Sequence, residues 1–238
     1  MSFTADGTAL VPTHARFARL LKHTSGFKRG QNLIIPHRHG EWSDPDKWYA
    51  PVDLLLEVGV LLEDTEEHLS EISRLLGKST GHVTLAYTDP YKGAIRAAVE
   101  LLADPMPTQD RFTYLFRLRN PAGFWEDAAA TSVGPSTTPA VTTGGDRPID
   151  DMTVTFAGPG TATHTDENGV VSNITVDAAA GAGTYDVDCG ARTVKKASAH
   201  QDSFLTVDQP WWWRFSPAAA QTITSTVNIT VSWRNKSA

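Results

Sequence analysis

Hydrophobic and polar positions alternate with a period of two along most of this chain. Met152, Val154 and Phe156 alternate with Thr153 and Thr155, as a half-buried strand requires. Ile174 with Val176, and Tyr185 with Val187 and Cys189, repeat the pattern. Ile223, Val227, Ile229, Val231 and Trp233 carry it through the last strand or strand pair, with Thr and Asn between them. Asn168-Gly169 marks a tight turn, because both residue types tolerate positive φ. Short strands broken by turn residues, with no helical period, predict a β-sandwich for this part.

One segment of the first half has a different period. Leu69, Ile72, Leu75 and Leu76 fall on one face of a helix over about Thr65 to Leu76. Asp64 is placed to cap its first turn, with Glu67 three residues on as in a capping box. Gly77 suits the position just past the end, and Glu71 and Arg74 are spaced to pair on the outer face. Strand-like runs surround the helix at Val52 to Leu56, Val83 to Tyr87 and Phe112 to Leu118. Ile95 to Leu102 is ambiguous: its Ala and Leu favour helix, but it is short and bounded by Gly93 and Pro105, which tips the reading towards a further strand. No internal repeat is visible.

Between the two parts, Asp127 to Pro148 is rich in Ala, Thr, Ser, Gly and Pro and has no periodicity. It reads as a linker or long irregular connection. The expected organisation is therefore an N-terminal domain at 1–127, a connection at 128–148 and a C-terminal domain at 149–238. A chain of 238 residues is long enough for two ordinary cores.

Charge narrows the partners. Residues 1–135 carry 14 basic and 17 acidic side chains, and residues 136–238 carry 7 and 10, so each part is net −3. With no basic surplus in either, the composition argues against nucleic-acid binding as the main task and against a polybasic membrane anchor. No run approaches the roughly 18 apolar residues of a membrane helix, and the start shows no signal-peptide pattern. The single cysteine, Cys189, excludes a disulfide within one chain. It falls in strand alternation, which suits a small core residue better than a nucleophile. The Asn-Ile-Thr sequons at Asn173 and Asn228 read as accidental.

Three places carry candidate chemistry. His37 and His39 point to the same side if they lie on a strand, and Glu41, Asp44 and Asp46 follow. A cupin-like metal site has such a start. Here the carboxylate comes too soon after the second histidine, and the second half of the motif is absent. His37, Arg38, His39 and Trp42 therefore read as subunit-interface candidates. The run Trp211-Trp212-Trp213 reads either as core tryptophans with one at the rim, or as an aromatic platform with Trp212 as the glycan contact. No Gly-x-Ser-x-Gly elbow and no P-loop is present, and no carboxylate pair stands out from 27 acids. The expectation is a protein without catalytic, cofactor or metal residues.

The order of several short segments resembles a known family. Gly26-Phe27-Lys28-Arg29-Gly30 leads into Ile35-Pro36-His37-Arg38-His39-Gly40, then Asp53-Leu54 to Val60, the single helix, and Arg119-Asn120-Pro121-Ala122-Gly123-Phe124-Trp125-Glu126. Gly145-Asp146-Arg147-Pro148 opens the second part. Asp186 to Val194, Phe215-Ser216-Pro217, Gln221-Thr222-Ile223-Thr224 and Trp233-Arg234 complete it. This layout resembles the distal tail proteins of long-tailed phages, especially those of actinobacterial hosts, over nearly the full chain. Pro217-Ala218-Ala219-Ala220-Gln221 departs from the Pro-Gly-x-Asn turn common in that family.

The resemblance implies an N-terminal β-sandwich or split barrel with one flanking helix, like tail-tube subunits, and a galectin-like C-terminal β-sandwich on the outside. It implies a structural virion protein of the phage tail tip, assembled in the host cytoplasm as a hexameric ring of its own copies. The ring would join the tail tube to the tail-tip hub or baseplate and lie close to the tape-measure protein. DNA would pass through its channel without specific binding. No membrane, cofactor or enzymatic activity is implied. The alternative is a carbohydrate-binding sandwich that contacts the host surface.

Overall fold

The computed structural model describes residues 3–22, 28–29, 33–34, 41–42, 48–49, 51–77, 81–208, 212–217 and 219–237. The chain forms two compact units, the first through Ala128 and the second from Ala129 to Ser237.

The first unit contains β1 (Phe3–Ala5), β2 (Thr8–Ala9), β3 (Ala15–Lys22), β4 (Lys28–Arg29), β5 (Leu33–Ile34), β6 (Glu41–Trp42), β7 (Trp48–Tyr49) and β8 (Val52–Val60). Helix α1 (Thr65–Leu76) follows, then β9 (Val83–Asp89), β10 (Gly93–Leu101), β11 (Met106–Pro107), β12 (Thr113–Asn120) and β13 (Trp125–Asp127). Strands run antiparallel in the order β2-β1-β9-β10-β12-β8-β3. The run at Ile95 is thus a strand, and β10 turns the sheet: residues Gly93 to Val99 pair with β9, and Glu100 and Leu101 pair with β12. The two halves share one core. Leu54, Leu56 and Val58 of β8, Val83 and Leu85 of β9, Ile95 and Val99 of β10, and Phe116 and Leu118 of β12 are buried in it.

Helix α1 packs on this core through Ile72, Leu75 and Leu76, with Leu69 partly buried beside them, as its periodicity predicts. Arg74 Nε donates to Glu71 Oε2 at 2.8 Å on the exposed side. Both expected caps differ. Asp64 sits in the left-handed region at φ +53° and makes no side-chain cap bond, because a capping residue needs an extended backbone. Instead the Thr65 hydroxyl donates to Leu61 O at 3.0 Å. Gly77 has φ −103°, so it is not a left-handed terminus. Space explains it: a Cβ there would stand 2.9 Å from Ser73 O and 3.2 Å from Leu101 Cδ2.

The second unit is a sandwich of two antiparallel sheets. One orders β14 (Thr131–Ser136), β24 (Ile229–Trp233), β16 (Thr153–Phe156), β19 (Tyr185–Asp188), β20 (Thr193–Lys196) and β21 (Ala199–His200). The other orders β15 (Val141–Thr142), β23 (Ala220–Ser225), β17 (Gly160–Thr165), β18 (Val171–Val176) and β22 (Leu205–Asp208). The short β25 (Lys236–Ser237) ends the unit. One core joins both sheets: Val154, Phe156, Tyr185, Val187, Val231 and Trp233 from the first, and Ala162, Ile174, Val176 and Ile223 from the second. The odd-numbered stripe from Ile223 to Trp233 therefore crosses between sheets.

One sequence expectation changes here. The segment 128–148 is not an irregular linker, since β14 pairs with β24 and β15 pairs with β23. The expected tight turn at Asn168-Gly169 is present, closed by Gly169 N–H donating to Asp166 O at 3.0 Å. Asp166 Oδ1 accepts from the N–H groups of Asn168 (2.9 Å) and Val170 (2.7 Å), and only Gly169, at φ +77°, is left-handed.

Candidate assembly surface

The first unit leaves one sheet face outside its core. In β8 the even positions Leu54, Leu56 and Val58 point inward, so period two sends Asp53, Leu55, Glu57 and Gly59 outward. The pairing registers set Phe17 and Arg19 of β3 beside Gly59 and Glu57, and Leu115, Arg117 and Arg119 of β12 beside Glu57, Leu55 and Asp53. On β12's other side Met106 pairs with Leu115. Phe17, Met106 and Leu21 are exposed, and Leu55 and Leu115 are half-buried. Gly59 makes room for Phe17: a Cβ there would meet the aromatic ring at 2.2 Å.

Ion pairs are interleaved with these apolar side chains. Asp53 accepts from Arg119 Nε at 3.1 Å and Arg117 Nη2 at 3.4 Å. The Arg119 hydrogen bond is the main reason its carboxyl lies below the usual carboxylate range. Arg19 pairs with Glu57. Solvent-exposed pairs of this kind contribute little to stability, but they fix which charge stands where along the face. Strand β3 also ends the strand order among the described residues. It is interrupted by register shifts between Ala15 and Phe17 and between Leu20 and Lys22. Bulges of this kind limit uncontrolled pairing at an edge.

The sequence-predicted residues fall elsewhere. His37, Arg38 and His39 lie outside the described residues. Trp42 belongs to β6, which pairs with β5 through Leu33↔Trp42 and Ile34↔Glu41. Trp211 also lies outside the described residues. Trp212 is half-buried and packs against the second core, in a segment that is not a strand. Trp213 is 1% exposed, and its indole N–H donates to Ser172 O at 3.2 Å. Cys189 is buried, and that burial pushes its thiol pKa far up.

The structure brings together groups that the sequence did not connect. His164 is buried against Trp213 and Phe215, with Nε2 3.0 Å from Gln221 Oε1. Burial lowers its pKa, and the Gln221 bond, Asp166 and Glu167 offset only part of this. Its place in the Ala162-x-His164 alternation was a legible signal. Lys236 is buried, with Nζ 2.9 Å from Asp150 Oδ1 and 3.0 Å from Asp151 Oδ1. Burial pushes its ammonium pKa down, but the two carboxylates, Asp151 first, outweigh it and leave the pKa raised. His14 and His68 meet across 54 residues of sequence, a separation with no motif to announce it. Among the described residues no helix is long and apolar enough to cross a membrane.

Comparison with solved structures connects this fold to phage tails. The chain matches the Dit protein of phage SPP1, described as a paradigm of the hub adsorption apparatus in phages infecting Gram-positive bacteria. The TM-score is 0.70 over 99% of this chain and 98% of that one, at 13% identity. It also matches chains of the phage p2 baseplate in its activated conformation. With strontium the TM-score is 0.54 at 10% identity, over 98% of this chain and 97% of that one. With calcium it is 0.52 at 9%, over 92% and 90%. At these identities the likeness is one of fold: both units, in this order, form the fold of a phage distal tail protein. No protein-family profile and no curated protein sequence matches the chain.

Proposed function

We propose that this protein is a structural subunit of a phage tail tip. Copies of the first unit assemble as a hexameric ring between the tail tube and the tip hub or baseplate, with the tape-measure protein nearby. DNA passes through the ring without specific binding, and the second unit decorates it. The observation that carries this reading is the full-length fold match to a tail hub protein, which spans both units rather than a common sandwich alone.

The exposed face supports self-assembly. Phe17, Leu21 and Met106 stand interleaved with Arg19, Glu57, Arg117, Arg119 and Asp53, so the face offers a partner both exposed apolar side chains and fixed charges. A ring uses heterologous contacts that close by rotation, so this face would meet a different surface of the next copy. His37, Arg38, His39 and Trp42 remain candidates for that second surface.

Negative-stain electron microscopy with light scattering tests the reading. Sixfold rings with a central hole are expected from purified protein or from protein added to tail tubes. A monomer that neither forms rings nor joins tubes would overturn it. A glycan role for the second unit rests on Trp212, which keeps part of its surface exposed. Glycan-array binding that is lost in Trp212→Ala with the fold intact is its test.

A further inference from the structure

His14 and His68 have no part in the proposed ring, and the way they meet is independent of it. His14 closes the turn that leads into β3. Its N–H donates to Leu10 O, and its carbonyl accepts from Leu61 N–H. His68 stands one turn into α1, where its N–H donates to Asp64 O. Both are half-buried. Two backbone segments anchored independently thus bring two imidazoles together, Nδ1 to Nδ1 at 3.3 Å, with ring centroids 5.5 Å apart and planes tilted by 57°.

In the apo protein the contact is a hydrogen bond at the long end of the range, one ring N–H donating to the other ring's nitrogen. The same separation also suits two nitrogens on one ion. Tetrahedral zinc with bonds of about 2.0–2.1 Å holds two ligand nitrogens about 3.3–3.4 Å apart. The facing atoms are both ring nitrogens able to serve as ligands, and neutral imidazole suits zinc, nickel and copper. Calcium and magnesium take oxygen ligands instead.

Glu71 lies three residues beyond His68 on α1, close enough for His14 to help lower its carboxyl pKa, although the Arg74 hydrogen bond is the larger cause. Arg74 holds that carboxylate. Among the described residues no group of three or more His, Cys, Asp or Glu side chains converges as a metal site. Among the described residues the chain therefore offers two nitrogens at this place.

We infer that His14 and His68 chelate a divalent transition-metal ion of the zinc, nickel or copper class, and that the ion clamps α1 to the turn entering β3. An ion held this way binds the folded first unit and not the unfolded chain, where the two ligands separate, so it stabilises the fold by mass action.

The test uses the full-length protein stripped with a chelator and titrated with zinc chloride, read by calorimetry and by the melting temperature of the first unit. One ion per chain and a raised melting temperature are expected. His14→Ala or His68→Ala should each weaken binding at least about tenfold, the least that loss of a ligand should cost when its supporting groups cost 10–100-fold. The double variant His37→Ala, His39→Ala should bind as the parent does. Absence of binding overturns the inference. So does binding that survives both single variants, or that disappears with His37 and His39. Should the single variants not fold, nitrogen-15 spectra of the parent decide. Zinc should shift the Nδ1 resonances of His14 and His68, and unmoved resonances overturn the assignment.

Discussion

The two units bury cores of the same kind by different means, and their surfaces differ accordingly. The first wraps one continuous sheet around its interior and covers it with a helix. Its aromatic content is modest: Phe3 stacks on Tyr87 at 5.1 Å, and Trp125 meets Tyr87 edge-on. The second presses two sheets together around Trp213, Phe215, Tyr185, Phe156 and Trp233, with a hydrogen-bonded histidine and glutamine inside. Outside, the order reverses. Phe17, Leu21, Leu62, Tyr91 and Met106 of the first unit are exposed, against Val170 and Val171 of the second. A unit that leaves large rings and aliphatics outside has surface left for partners.

The sharpest way to separate the two is to damage one core and watch the other. Trp213→Ala removes a buried ring and should cost the second unit about 3–5 kcal/mol. Denaturant unfolding should then show two transitions, with the first unit's midpoint unchanged. A single transition shifted as a whole would show that the units unfold together. Ile72→Ala should cost the first unit about 2–5 kcal/mol, as expected for an aliphatic cut from a core. Hydrogen exchange should speed up in α1 and its neighbours but not in the second sandwich.

His164 gives the second unit a pH dependence that the first does not share at this position. Burial depresses its folded pKa below the unfolded value of about 6.5. Below that value the unfolded chain binds a proton that the fold refuses, so stability falls as pH decreases from neutral. Thermal melts between pH 7 and 5 should show the second unit losing stability, and His164→Gln should flatten that slope. Cys189 reports the same unit: a thiol reagent should label it only after the sandwich unfolds, because the thiol is buried and held protonated.

The smallest expected effect on stability tests the surface. Leu21→Ser with Met106→Ser, the more exposed pair, should change monomer stability by only about 0.5 kcal/mol each, as surface substitutions do. The same pair should abolish or strongly weaken ring formation in sedimentation and microscopy. Normal rings would move the interface away from this face.

The helix and the buried strands were legible because burial imposes a period. Ile72, Leu75 and Leu76 lie inward, and so do the alternating residues of β8, β16, β18 and β24. Strand β14 was not legible, because none of its residues is buried. This edge strand touches the core only through the half-buried Val133, so it carries no alternation, and the hydrogen bonds of β24 hold it in place. The caps of α1 escape a sequence reading for a related reason: Asp64 and Gly77 are common capping residues, but the close approaches of Leu61, Ser73 and Leu101 decide what their backbones do.

By itself, then, the sequence determined what local periodicity can encode: a mainly β chain, one amphipathic helix, two cores, and the sorting of Cys189 to the inside. Only the tertiary structure decided which distant residues meet. It set Phe17 against Gly59, Arg119 against Asp53, Lys236 against Asp150 and Asp151, and His14 against His68. The reason is physical. One-sided burial is non-directional and leaves a period that can be read in a short stretch of sequence, whereas ion pairs and hydrogen bonds need two particular atoms at one place, which only strand register and helix docking fix.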